Sequence, residues 1–252
     1  MTAIRSLIFV IWMYGLMGVM GIIWLPSLLM PRAAIRFGIR TYVRLLKWGL
    51  RWICGVHTEI RGLENLPEGA ALVAAKHQCM WDVFIPFLVM DDPAIIMKRE
   101  LLWYPILGWY ALKSDQVPID RGGAARTLKK MIAAAKARIA QGRQIVIYPE
   151  GTRRAPGAAP DYKPAGVTAF YRQLDAPCVP AANNFGLCWP RRGIIRRPGH
   201  IVYEILPPIP PGLDRKAMMV ELETAIETAS ARLLDEGLAA QGRTRSDLET
   251  AA

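Results

Sequence analysis

From Leu7 to Met30 the chain runs 24 residues without a charged side chain. As a helix that length can cross a hydrocarbon core about 30 Å thick. Pro26 and the glycines Gly15, Gly18 and Gly21 interrupt the run, so the pattern fits a bent or half-inserted segment as well as a straight span. Only Arg5 precedes it and no clear small-x-small cleavage site follows, so the segment is expected to be retained. Next, Arg32, Arg36, Arg40 and Arg44 recur every fourth residue, followed by Lys47 and Arg51. Ile35, Ile39, Val43, Leu46 and Leu50 interleave with them, and Tyr42, Trp48 and Trp52 lie in the same stretch. At helical spacing this predicts a cationic stripe beside an apolar face, an interfacial helix drawn to anionic lipid.

After Val56 the character changes. Short apolar or alternating runs predict strands at His57–Arg61, Ala71–Ala75, Ala94–Met97, Gln116–Ile119, Ile145–Tyr148, Cys178–Ala182 and His200–Leu206. Helical periodicity appears in Leu128–Ala140, Gly166–Leu174 and Met218–Leu234, and Val83–Met90 reads as a helix after a turn. Strands alternating with helices predict an α/β fold with a mixed, largely parallel sheet covered by helices. To this is added the N-terminal membrane-embedded helical segment. The expected division is a membrane anchor over 1–55, an α/β domain over 56–236 and a loose C-terminal tail over 237–252. Leu101 to Leu112, rich in Trp, Tyr and Leu, reads equally as a wall for an acyl chain or as ordinary core.

Charge narrows the partners. The 32 Lys+Arg exceed the 21 Asp+Glu by 11, which favours anionic partners. The apolar segment beside the basic stripe selects lipid over nucleic acid, and a basic flank marks the cytoplasmic side. Cys54, Cys79, Cys178 and Cys188 show no Cys-x-x-Cys spacing, so no zinc site or disulfide framework is expected. The three histidines, His57, His77 and His200, show no ligand spacing, and no catalytic metal is expected.

The chemistry centres on Ala71 to Asp82, ALVAAKHQCMWD. A buried strand would deliver His77 to its open end, with Asp82 in the segment that follows. Five helical steps overshoot one turn by about 140°, so the two cannot share a helix face. His77 must lie in the turn, with Asp82 reaching back to one ring nitrogen. That arrangement makes a general base. Two further strands end in turn-forming clusters, Asp120-Arg121-Gly122-Gly123 and Glu150-Gly151-Thr152-Arg153. Ligands of open α/β sheets bind outside the carboxyl ends of the strands, and the planar guanidinium fork suits phosphate. Arg121 and Arg153 are the phosphate candidates, with Lys98, Lys113 and Arg154 behind them. No nucleophile motif occurs. Cys79 stands two residues from His77, a spacing at which side chains diverge, and there is no Gly-x4-Gly-Lys-Ser/Thr loop. A base, a phosphate clamp and a membrane segment suit acyl transfer to a hydroxyl on a phosphorylated, membrane-soluble acceptor.

Four ordered blocks between Val56 and Leu206 resemble the glycerolipid acyltransferase family, and within it the 1-acyl-sn-glycerol-3-phosphate acyltransferases. They are His77-Gln78-Cys79-Met80-Trp81-Asp82, Val117-Pro118-Ile119-Asp120-Arg121-Gly122, Tyr148-Pro149-Glu150-Gly151-Thr152-Arg153 and Val179-Pro180-Ala181. The resemblance implies direct attack on a thioester, with acyl-CoA or acyl carrier protein as co-substrate and no further cofactor. It implies that His77 deprotonates the acceptor and Asp82 orients it. It also implies that Arg121, Glu150, Gly151, Thr152 and Arg153 form the phosphoglycerol site and that Pro180 shapes the acyl-binding region. The product would be phosphatidate, made by a membrane-anchored enzyme facing the cytoplasm at a bacterial inner membrane. Lys76, Cys79 and Val117-Pro118 depart from residues common in the family, which leaves another lyso-lipid, such as lyso-ornithine lipid, as an alternative acceptor. A non-catalytic anionic-lipid-binding membrane protein is the alternative from another class.

Overall fold

The computed structural model describes residues 1–119 and 125–249. Two long helices, α1 (Thr2–Ile23) and α2 (Arg32–Cys54), are joined by a 3-10 turn over Leu25–Leu29 that carries Pro26. There follow β1 (Val56–Arg61), β2 (Ala71–Ala75), α3 (Pro86–Val89), β3 (Ala94–Lys98), α4 (Leu107–Lys113), β4 (Val117–Ile119) and α5 (Ala125–Ile139). The chain continues through β5 (Gln144–Ile147), α6 (Pro164–Leu174), β6 (Cys178–Asn183), β7 (Gly199–Ile205), α7 (Arg215–Ala239) and α8 (Ser246–Glu249). Gly55 ends α2 in the left-handed region at φ +71, where its N–H caps the Arg51 carbonyl.

The seven strands form one sheet in the order β1-β7-β6-β2-β5-β3-β4. All neighbouring pairs are parallel except β6 with β7. Alternation along the central strands supplies two cores. Ala71, Val73 and Ala75 of β2 and Val146 of β5 join Phe9 and Met13 of α1 and Val43, Leu46 and Leu50 of α2. Leu72, Ala74, Ile145 and Ile147 face Met131 of α5, Phe170 of α6 and Leu222 and Ile226 of α7. Pro180 lies inside β6, opposite Ala74 of β2. Its missing N–H falls on the β7 side, just beyond the last ladder pair Ala181–Ile205, where Leu206 still donates to its carbonyl. It is a buried strand residue rather than part of a pocket wall.

Three expectations change. The N-terminal helices share a core with the sheet, so no packing gap separates 1–55 from the rest. The chain after 236 is not wholly loose: Leu238 is buried, Arg245 pairs with Asp235 at 2.7 Å, and Leu248 packs against the core. The apolar spacing of α7 carries it past the expected end. Finally, the first half of the α2 stripe turns inward. Arg32 reaches Asp92 at 3.0 Å and Asp115 at 3.2 Å, Arg36 reaches Asp91 at 2.6 Å, and Arg40 reaches Asp91 at 3.2 Å and the Met90 carbonyl at 2.6 Å. Only Arg44, Lys47 and Arg51 lack an ion pair with a described residue. A four-residue repeat marks the face of a helix but does not say what meets it.

Asp92 is central to that inner contact, because it also lies 3.3 Å from the buried Arg143. Burial pulls the Arg143 guanidinium down to about 10 and Asp92 opposes the shift. Asp92→Ala is expected to lower stability by about 3 kcal/mol, the cost typical of stripping one partner from a buried ion pair. Chemical denaturation checks this.

Candidate active site

β2 ends at Ala75, and the chain leaves the sheet through Lys76 into the turn that carries His77. The Lys76 N–H still donates to the Ala181 carbonyl at 2.8 Å, and Asn183 Nδ2 donates to the Lys76 carbonyl at 2.9 Å. From there the turn is organised around Asp82, which is 1% exposed. Its Oδ2 accepts from the Gln78 N–H at 2.5 Å and the Cys79 N–H at 2.8 Å, and contacts His77 Nδ1 at 2.8 Å. A carboxylate only accepts, so Nδ1 carries the proton and Nε2 is left as a base. The His77 side chain is 14% exposed, and Nε2 has no partner among the described residues.

The Glu150 turn clamps the same residue by its backbone. The His77 N–H donates to Glu150 Oε2 at 3.2 Å and the Arg154 N–H donates to the His77 carbonyl at 2.8 Å. The Tyr148 ring stacks on the imidazole at 4.3 Å between centroids, and its hydroxyl donates to the Asp82 carbonyl at 2.8 Å. Burial raises the Tyr148 phenol well above its usual value, so it stays a donor. Trp81 packs in the core against Trp189, and Gly186 donates to Gln78 Oε1 at 2.9 Å. The turn is thus held from β5, β6 and the segment after it.

Of the expected site residues, His77, Asp82 and the Glu150–Arg153 turn come together at the carboxyl end of β2 and its neighbour β5. Glu150 is not a phosphate contact. It is 1% exposed, Oε1 is 2.9 Å from Lys76 Nζ and Oε2 receives the His77 N–H; a buried anion with both oxygens engaged repels a phosphate. Gly151 turns the chain at φ +64, and Thr152 and Arg153 follow, half-buried. Arg153 makes no hydrogen bond or ion pair with a described residue, yet its charge reaches Tyr148, where it opposes the upward shift caused by burial. Lys98 is exposed at the carboxyl end of β3, in register with Ile119. Lys113 is misplaced: it ends α4 before β4 begins, beside Ser114, whose carbonyl accepts from Arg143 at 3.0 Å. That is the amino end of the parallel strands, opposite His77. Pro180 belongs to the sheet, and Arg121 lies outside the described residues.

Cys79 cannot serve as a nucleophile. It is fully buried, its Sγ lies 3.6 Å from Asp82 Oδ1, and burial and then the Asp82 charge push the thiol well up. Sequence reasoning missed Tyr148 as the stacking partner of the imidazole, although it opens the Tyr-Pro-Glu-Gly-Thr-Arg block. It also missed Glu227 on α7, which reaches Lys76 at 2.7 Å and carries no local signal. Asp82→Asn replaces an oxygen that serves three donors, and kcat is expected to fall by about 10²–10⁴, the span of a general-base contribution. Steady-state kinetics on protein with unchanged circular dichroism measures it.

An acyltransferase family model matches residues 57–183. The 1-acyl-sn-glycerol-3-phosphate acyltransferase of Pseudomonas aeruginosa is 31% identical over 211 residues, 81% of this chain and 80% of that protein. The Limnanthes alba protein of the same name is 28% identical over 191 residues, 75% of this chain and 67% of its own length. The crystal structure of the 1-acyl-sn-glycerophosphate (LPA) acyltransferase from Thermotoga maritima superposes with a TM-score of 0.77, covering 92% of this chain and 98% of that one at 21% identity; it shares the fold. With its base, carboxylate and turn inside the matched segment, the chain belongs to the acyltransferase family.

Proposed function

We propose that the protein transfers an acyl group from a thioester, acyl-CoA or acyl carrier protein, to the free hydroxyl of 1-acyl-sn-glycerol-3-phosphate, yielding phosphatidate. The observation that carries this is the His77–Asp82 contact of 2.8 Å, with Nε2 unpartnered among the described residues and the neighbouring Cys79 thiol buried and raised. Nε2 takes the hydroxyl proton, the alcohol oxygen attacks the thioester carbonyl, the C–S bond breaks and the departing sulfur takes the proton from the imidazolium. Asp82 supports the transient cation. No acyl-enzyme forms. Arg153, with no hydrogen bond or ion pair among the described residues, binds the acceptor phosphate together with Arg121, and Lys98 stands at the rim. Support for the acceptor comes from the names of the relatives and from this cation beside the base.

The membrane is met by one continuous face. α1 exposes Ile4, Leu7, Ile8, Ile11, Val19, Ile22 and Ile23, and beside it Trp48, Trp52, Trp103, Tyr104 and Trp109 are exposed. α1 is bound to the rest of the molecule at both ends. Arg5 Nε donates to the Ile53 carbonyl at 2.5 Å and the Arg196 N–H donates to Ser6 Oγ at 2.8 Å, while Tyr110 donates to the Gly21 carbonyl at 2.9 Å. A spanning α1 would draw its partner helix, with Arg44, Lys47 and Arg51, into hydrocarbon at a cost of about 2.5–3.5 kcal/mol per central charge. α1 therefore lies in one leaflet. Arg191, Arg192 and Arg197, exposed next to its first turn, add attraction to anionic headgroups. No Asp or Glu occurs in 1–58 or 176–203.

Purified protein offered a panel of lyso-lipids with each donor type is expected to make phosphatidate from lysophosphatidate; acylation of a different lyso-lipid alone would overturn the acceptor. Arg153→Ala is expected to raise the KM for lysophosphatidate about 10- to 100-fold, as loss of a charge-assisted hydrogen bond of about 1.5–3 kcal/mol implies, with a smaller effect on kcat. Reversing Arg191, Arg192 and Arg197 to Glu is expected to cut partitioning onto phosphatidylglycerol-containing vesicles at least tenfold, at about 1 kcal/mol per basic residue. Binding to phosphatidylcholine vesicles should change little; co-sedimentation reads both.

A further inference from the structure

We propose that Lys76 is a positioning residue: its ammonium, fixed between Glu150 and Glu227, holds Glu150 as the acceptor of the His77 backbone N–H and thereby lets α7 set the placement of the base. The proposal rests on the reading of His77 as the base and adds a residue that touches neither substrate nor the reacting atoms.

The geometry is continuous. Lys76 Nζ donates to Glu150 Oε1 at 2.9 Å and to Glu227 Oε1 at 2.7 Å. Glu150 Oε2 then accepts the His77 N–H at 3.2 Å, and Tyr162 donates to Glu227 Oε1 at 2.8 Å from beyond. Lys76 has the strand parity of Leu72 and Ala74, which face α6 and α7. Its side chain therefore runs behind the sheet while its peptide leads into the turn. The Lys76 side chain is 3% exposed and that of Glu150 0%, while Glu227 is 27% exposed. An ammonium so deeply buried costs several kcal/mol in lost hydration unless carboxylates surround it; here two do, and one of them grips the catalytic turn.

The groups facing Glu150 are Lys76 at the end of β2, the His77 N–H, Glu227 on α7 and Tyr162 ahead of α6. Burial raises the Glu150 carboxyl, Lys76 is the main opposing influence, and Glu227 adds to the rise. The sign follows. Without Lys76 the Glu150 carboxyl rises further, so it takes up a proton at higher pH; its new O–H can then turn toward the His77 N–H in place of an acceptor oxygen, and activity falls as pH falls through the new value. A neutral amide at 150 has no such titration, and its carbonyl oxygen can still accept from His77.

The test compares Lys76→Met, Glu150→Gln and the double variant with the full-length protein, after thermal melts show that each is folded. Lys76→Met is expected to lower kcat at pH 7 about tenfold or more, roughly the effect of misplacing one catalytic group. The KM for lysophosphatidate should stay within about twofold, because uniform binding is untouched. The acidic limb of its kcat–pH profile should move upward, and the double variant should recover kcat and lose the moved limb. Unchanged kcat in Lys76→Met overturns the proposal, as does a loss with no displaced limb and no recovery in the double variant, the behaviour of a merely structural ion pair. Should Lys76→Met not fold, Glu227→Gln tests the half-exposed end: kcat is expected to fall about tenfold as Lys76 loses its second anchor, while the acidic limb moves downward because the Glu227 charge that raises Glu150 is gone; full kcat there removes α7 from the device and overturns the proposal. His77→Ala run alongside separates the two readings: full turnover in that variant sinks the base assignment itself, whatever Lys76 does.

Discussion

One carboxylate oxygen, Oδ2 of Asp82, meets two backbone N–H groups and an imidazole nitrogen within 2.8 Å. Three donors on one buried acceptor leave the intervening four residues almost no freedom, and the conformation that satisfies them places Nε2 outward. Within the turn, Asp82 sets the orientation and the tautomer of the imidazole. The turn also needs a fixed entry, and the sheet supplies it. Lys76 N–H still belongs to the ladder with β6, so the last paired residue of a central strand immediately precedes His77.

Around that turn the fold divides its labour by faces. Even-numbered residues of β2 look toward α6 and α7, odd-numbered ones toward α1 and α2. The His77 turn is therefore braced on one side by a polar chain running to α7 and on the other by the helices α1 and α2. The ion pairs of α2 with Asp91, Asp92 and Asp115 tie those helices to the segments that lead into β3 and β4.

Cys79 shows how environment overrides residue type. A thiol two positions from a histidine invites a covalent mechanism. Full burial and an adjacent carboxylate remove the thiolate, and the sulfur becomes a weak donor that helps hold Asp82. Glu150 makes the same point in reverse. It sits in the phosphate-binding block, yet it is turned inward against a lysine.

The His-x4-Asp spacing, the glycine turn at 151 and the alternation of the strands were legible because they depend on local geometry, and local geometry is written in adjacent residues. The strands from Val56 to Ile205 and their largely parallel pairing followed from that alternation, as did the joining of His77, Asp82 and the Glu150–Arg153 turn. Lys113 was misjudged because charge type says nothing about which end of a sheet a residue occupies. The arginines of α2 were assigned to lipid because their acids lie more than 40 positions away. Glu227, 151 positions beyond Lys76, left no trace at all. The sequence alone determined what the turn can do chemically and which elements surround it. Only the tertiary structure decided which charges are neutralised inside and which remain for a ligand, because a buried charge is defined by partners that the chain brings near only when it folds.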